Sequence, residues 1–208
     1  MFLDRPGSSL AVRDRSGMAE ACGLPVRRCS GNRLKETVEI ARLSTLLTHN
    51  HALGYNGAIL QALAVHLALR PDSPDGGTLL DAVIGFARDR LENDEVKKPY
   101  TERLLTAKAL LHDPHVTQKE VIEKMEHSVN MEALDAIRSV PGIETDNPFA
   151  RAILYAISMG GDSDTIATMA GAIFGARLGV QSIQWKHLCE APKKLYSWLT
   201  ACTRVRKE

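Results

Sequence analysis

The chain has 208 residues, enough for one domain with a substantial core. Its 44% apolar and 25% charged content is that of an ordinary globular chain, and a formal net charge of +1 gives no electrostatic footprint for nucleic acid or a membrane surface. Four cysteines (Cys22, Cys29, Cys189 and Cys202) form no Cys-x-x-Cys pair and match no zinc spacing, so they read as free thiols of a reducing compartment. No apolar run reaches transmembrane length.

Residues 1–33 differ from the rest. They mix Gly, Ser, Arg and two prolines without sustained periodicity. The six arginines suggest a mitochondrial transit peptide, but Asp4, Asp14 and Glu20 argue against one, and the segment reads as a disordered or loosely packed leader. Residues 34–208 form the predicted folded part. A first helix is expected over 34–47, with Leu34, Val38, Ala41 and Leu47 on its apolar stripe and Ile40 and Leu43 widening it. Residues 48–57, with Thr48-His49-Asn50-His51 at their start, separate it from a second helix over 58–69. That helix has only Gln61 and His66 as polar members and belongs in the core. The loop 71–77 follows, then a helix over 78–91 and a solvated loop of mixed charge over 92–98. A fourth helix spans about 100–112. Thr117 with Glu120 forms a capping box that opens a fifth. Asn147-Pro148 is an N-cap followed by proline at the first helical position, which starts a helix over 149–158. A final helix is expected over 193–205. No segment alternates with period two over a useful length, so the fold is all-α.

The richest stretch for chemistry is Gly160-Gly161-Asp162-Ser163-Asp164-Thr165, directly before an apolar helix. Two carboxylates and a hydroxyl are hard oxygen donors that suit Mg²⁺ better than a soft metal. The same residue types are also ordinary helix N-caps, stabilised there by the macrodipole. Gly171, Gly175 and Gly179 recur every four residues, which predicts a tightly buried helix with one face in close approach to another backbone.

The histidines carry weaker signals. His49 and His51 supply two potential ligands, too few for a zinc site; His49 is the stronger candidate to touch a ligand. His66 reads as a satisfied core histidine. His112, His115, His127 and His187 have no informative spacing. No P-loop, dinucleotide fingerprint or Ser-His-Asp set is present.

Residues 160–176, from Gly160-Gly161-Asp162-Ser163-Asp164-Thr165 through Gly171-Ala-Ile-Phe-Gly175-Ala176, resemble the C-terminal signature of the ADP-ribosylglycohydrolase family. The stretches 41–49 and 53–69 resemble its branch that removes ADP-ribose from serine, poly(ADP-ribose) and O-acetyl-ADP-ribose. The resemblance covers roughly 34–205. It implies a compact orthogonal helical domain with two Mg²⁺ ions in a cleft, holding the ribose and orienting the attacking water. It also implies that Asp162, Asp164 and Thr165 are C-terminal metal ligands, with Asp164 bridging the two ions, and that His49 contacts ADP-ribose. Ser163 stands where the branch usually has Thr.

The chain departs from the family pattern in two places. The family's metal-binding Glu, its Thr-Asp-Asp motif and its glycine-rich loop are not matched, and no Thr-Asp-Asp occurs anywhere. After Ser139-Val140-Pro141, where the family continues into an apolar helix, the chain runs through Gly142 to Asn147-Pro148. The expectation is therefore the C-terminal part of such a domain, with one ion at most, weakly held, and activity that is weak or absent. The implied partners are ADP-ribose or ADP-ribosylated protein, with neither nucleic acid nor membrane bound directly. The implied localisation is nucleus, cytoplasm and mitochondrial matrix. The rival reading is a non-catalytic helical module, or inactive isoform, that associates through exposed helix faces.

Overall fold

A computed structural model describes residues 34–70, 72–91, 94–125, 146–158 and 162–183. The leader 1–33, the four cysteines, Gly160, Gly161 and the helix expected over 193–205 lie outside these. Among the described residues there are seven α-helices, one short 3-10 turn and no strand, in agreement with the all-α expectation. They are α1 (Leu34–Leu46), α2 (Ala52–Ala68), α3 (Gly76–Arg90), α4 (Asp94–His112), α5 (Gln118–Lys124), α6 (Pro148–Ser158) and α7 (Ser163–Leu178). The 3-10 turn is Val180–Ser182.

The fold is organised around α2, which packs against α1, α3, α4 and α7. Twelve of its seventeen residues are buried, as its nearly continuous apolarity demands. On one side Leu60, Leu63 and Ala64 form a cluster with Val83, Ala87 and Leu91, closed by Tyr100 and Leu104 of α4. On the other, Ile59, Ala62 and Val65 pack on Ala41 of α1. Ile173 of α7 packs on both clusters.

The predicted stripe of α1 agrees with the structure in part: Ala41 is buried, and Leu34 and Val38 pack against the core. Thr37, Ala41 and Thr45 are each 0% exposed, whereas Leu43 is 54% and Leu47 86% exposed. Small residues at i, i+4 and i+8 let α2 approach closely, and that packing outweighs the larger leucines, which are turned outward. Thr37 Oγ1 lies 3.4 Å from His66 Nδ1, so the core histidine has a partner.

Two helices begin earlier than the local signals indicate. The second starts at Ala52, six residues ahead of expectation, with His51 as its N-cap; Gly54 and Gly57 are helical and buried. Tertiary burial overrides the low helix propensity of these glycines. The fourth begins at Asp94, so 94–98 of the segment read as a loop are helical, and the helix runs on through Pro99. Val96, 4% exposed, anchors that extension in the core.

The other start signals agree with the structure. Thr117 and Glu120 form the reciprocal capping box of α5. Asn147 Oδ1 accepts from the Ala150 N–H at 3.0 Å, while its Nδ2 donates to Ser182 O at 2.9 Å, joining the start of α6 to the chain beyond α7. Among the described residues, no helix is long and apolar enough to cross a membrane.

Candidate active site at the start of α7

Two aspartates stand at helix starts, and they behave differently. Asp75 caps α3 in the ordinary way: its Oδ1 accepts from Gly77 N at 2.9 Å and Thr78 N at 3.0 Å. The Thr78 backbone and side chain hold the Asp75 carboxyl below its usual range. Asp162 occupies the same position relative to α7, but its side chain makes no capping hydrogen bond. The Asp162 side chain nearby, ahead of the Thr165 backbone N–H, holds the Asp164 carboxyl below its ordinary value of 3.8.

Two ionised carboxyls at one helix start concentrate negative charge that a cation neutralises. Asp164 is exposed, Asp162 half-buried, and Thr165 is 6% exposed, the one buried residue of α7. Among the described residues, no group of three His, Cys, Asp or Glu side chains gathers in metal-binding range. The donor set here is therefore two carboxyls and the Thr165 hydroxyl, all hard oxygens.

The helix behind the pair is less buried than expected. Most of α7 is half-buried or exposed, including Phe174 at 36% and Leu178 at 37%. The glycine face does meet a neighbour, but it meets side chains of α6 rather than backbone. A Cβ on Gly171 would lie 3.2 Å from Ile153 Cδ1, and one on Gly175 would lie 3.7 Å from Phe149 Cε2. Gly179 has a different role. Its φ of 77° and ψ of 170° end the helix in a conformation that L side chains rarely adopt.

His49 follows α1 rather than α7. The Thr45 carbonyl accepts from Thr48 N at 3.0 Å and His49 N at 2.7 Å, which fixes the turn, and His49 Nδ1 lies 2.8 Å from Thr48 Oγ1. His51 caps α2 through Nδ1, which accepts from Leu53 N at 3.2 Å. The Tyr100 hydroxyl donates to the Leu53 carbonyl and ties α4 to the same turn.

The packing of α2 on α7 relates the two candidate regions. Gln61 Nε2 donates to Met169 O at 3.0 Å. Ile173 and Ala176 pack on the cluster that contains Ile59, Ala62 and Val65. From the Gln61–Met169 bond the helix starts are roughly 14 Å away along α2 and roughly 9 Å along α7, at the usual rise per residue. His49 and His51 precede the start of α2, and the Asp162–Thr165 group opens α7.

Sequence reasoning did not single out Gln61 or Thr48 for a positioning part. Gln61 had a signal, as a polar residue in an otherwise apolar helix; Thr48 had none beyond its place beside His49.

The described residues define a class: an all-helical domain with two carboxyls at the start of one helix and a histidine turn ahead of another. The particular family follows from comparison. The sequence matches the ADP-ribosylglycohydrolase family over residues 11–207, and the chain belongs to that family. It is 38% identical over 183 residues to the human protein named ADP-ribosylhydrolase ARH3, a match covering 76% of this chain and 49% of the relative. The cattle protein of that name is 37% identical over 185 residues, with the same two coverages. The Xenopus tropicalis one is 35% identical over 191 residues, covering 80% of this chain and 53% of the relative. The chain therefore falls in the ARH3-like branch and spans about half the length of the curated relatives it matches.

Proposed function

We propose that this chain carries the C-terminal metal- and ligand-binding part of a Mg²⁺-dependent hydrolase. The bond cleaved is the O-glycosidic bond at ADP-ribose, on serine, poly(ADP-ribose) or O-acetyl-ADP-ribose. One observation carries the reading: Asp162 stands where a capping aspartate stands yet its side chain leaves the helix uncapped, two residues from the carboxyl of Asp164. The names of the relatives, ADP-ribosylhydrolase, supply the reaction class.

Asp162, Asp164 and Thr165 are the residues that would hold Mg²⁺, and His49 the one that contacts ADP-ribose. The bound cation supplies charge stabilisation and a template for the ribose. The chain's own contribution is to hold two carboxyls together on a helix fixed to α2 through Gln61 and Ile173. Mg²⁺ prefers six oxygen ligands, so this donor set of two carboxyls and a hydroxyl would hold one ion at most, and weakly. Without further ligands the reacting groups are not fixed in near-attack geometry, and turnover by this chain alone is weak or absent.

The test is release of ADP-ribose from a serine-ADP-ribosylated peptide. Little or no release by the chain alone is expected. Turnover matching a full-length relative, and abolished by Asp164→Ala, contradicts the proposed weakness. Equal turnover with and without Mg²⁺ contradicts the metal reading.

A second reading has its own observation. Tyr155 at 43% and Ile157 at 37% on α6, with Phe174 and Leu178 on α7, leave large apolar side chains exposed. That favours a helical module that associates through these faces. Sedimentation that stays monomeric at high concentration, with no binding of an apolar dye, removes its basis.

A further inference from the structure

The turn that carries His49 contains a hydroxyl with two possible acceptors. Thr48 Oγ1 lies 2.8 Å from His49 Nδ1 and 3.3 Å from the Thr45 carbonyl oxygen. A threonine hydroxyl has one proton to give. The Thr45 carbonyl already accepts two backbone N–H groups, at 3.0 and 2.7 Å, which match its two lone pairs. The 3.3 Å separation is also long for an O–H donor, whereas 2.8 Å is an ordinary length. The imidazole nitrogen is the better acceptor on both counts.

We infer that Thr48 is a positioning residue for His49: its hydroxyl donates to Nδ1, holds the neutral imidazole with its proton on Nε2, and so makes His49 a hydrogen-bond donor to an accepting oxygen of the ligand. The inference rests on the proposal that His49 contacts ADP-ribose. Two residues on, the same tautomer is set in a second way, because His51 Nδ1 accepts from the Leu53 N–H at 3.2 Å and its proton is left on Nε2 as well. The chemical consequence concerns ligand choice. A neutral imidazole with Nε2–H can bond an oxygen that has no proton of its own, such as a phosphate oxygen. The other tautomer would meet that oxygen lone pair to lone pair.

The test is a long-range proton–nitrogen NMR correlation of the histidine rings in the full chain at neutral pH. It is run on the wild type, Thr48→Val and Thr48→Ser, with ADP-ribose affinity in Mg²⁺ measured on the same samples. Thr48 is exposed, so neither variant disturbs the core. The expected result is an Nε2-protonated His49 in the wild type and a mixture of tautomers in Thr48→Val. Thr48→Val should also weaken ADP-ribose binding about fivefold, the scale of one net hydrogen bond, and Thr48→Ser should restore both. An Nδ1-protonated His49 in the wild type overturns the inference, as does a Thr48→Val variant unchanged in tautomer and affinity. A His49→Ala variant that binds ADP-ribose as well as the wild type overturns the proposed ligand contact instead, and the nitrogen shifts still decide the tautomer.

Discussion

Two helices of this molecule, α2 and α7, are written in nearly the same language and are packed differently. Both are apolar almost all round and of similar length. Yet twelve residues of α2 are buried, and in α7 only Thr165 is. Composition sets which residues tolerate burial; neighbours decide which are buried. α2 has α1, α3, α4 and α7 around it, while α7 packs mainly on α6 and α2. The helix that builds the core is thus distinct from the helix that presents the carboxyl pair.

The contrast can be broken by substitution. Leu63 is 2% exposed in the centre of the α2 cluster, and Leu63→Ala should cost about 3 kcal/mol in urea unfolding, as buried Leu→Ala changes do. Phe174→Ala on α7 should cost about 1 kcal/mol or less, because its ring is already partly in water. Equal costs would mean that α7 is as deeply packed as α2.

The glycines of α7 sharpen the comparison. Gly179→Ala should destabilise by about 1–3 kcal/mol, because no side chain fits its backbone conformation well. Gly175→Ala should stabilise by about 0.5–1 kcal/mol: the added methyl meets Phe149 at 3.7 Å, an ordinary contact, and alanine favours helix. Thermal melts of the two variants should therefore move in opposite directions. A destabilised Gly175→Ala would show that α6 and α7 lie closer together than described.

The smallest expected effect is a pH slope from α2. Burial, and secondly the Arg70 charge, lower the His66 pKa below its ordinary value of 6.5. The folded chain then resists a proton that the unfolded chain accepts. Stability is complete above pH 6.5 and is lost as the pH falls from there through the lowered folded value. In His66→Leu the decline in melting temperature below that pH should be shallower than in the wild type. Parallel declines would remove His66 as the cause.

Much of the fold was legible in the sequence. The capping box at Thr117, the Asn147-Pro148 start and the all-round apolarity of α2 each agree with the structure, because each signal is local and unopposed. The early starts of α2 and α4 were not legible. Gly54, Gly57 and Pro99 argue against helix locally, and only the burial of neighbours such as Val96 overrides them. On α1, Leu43 and Leu47 were misread for a related reason: leucines outweigh threonines on a hydrophobicity scale but not where a second helix must come close. At the candidate site, the residue types and their place before a helix were legible. Whether Asp162 acts as a cap was not, since Asp75 and Asp162 look alike in sequence and differ in whether the carboxyl accepts from the N–H groups of its helix.

The most direct test of the account asks whether the Asp162–Asp164 pair is a cation and ligand site. It is a thermal melt of the chain, alone and with Mg²⁺ plus ADP-ribose, for the wild type, Asp162→Ala and Asp164→Ala. A ligand at about 100 times its dissociation constant stabilises by about 2.7 kcal/mol, a shift of several degrees for a chain of this size. The account predicts a cooperative wild-type melt that moves up with both ligands and does not move in either variant. A wild-type melt indifferent to Mg²⁺ and ADP-ribose, or one shifted equally in all three proteins, would contradict it.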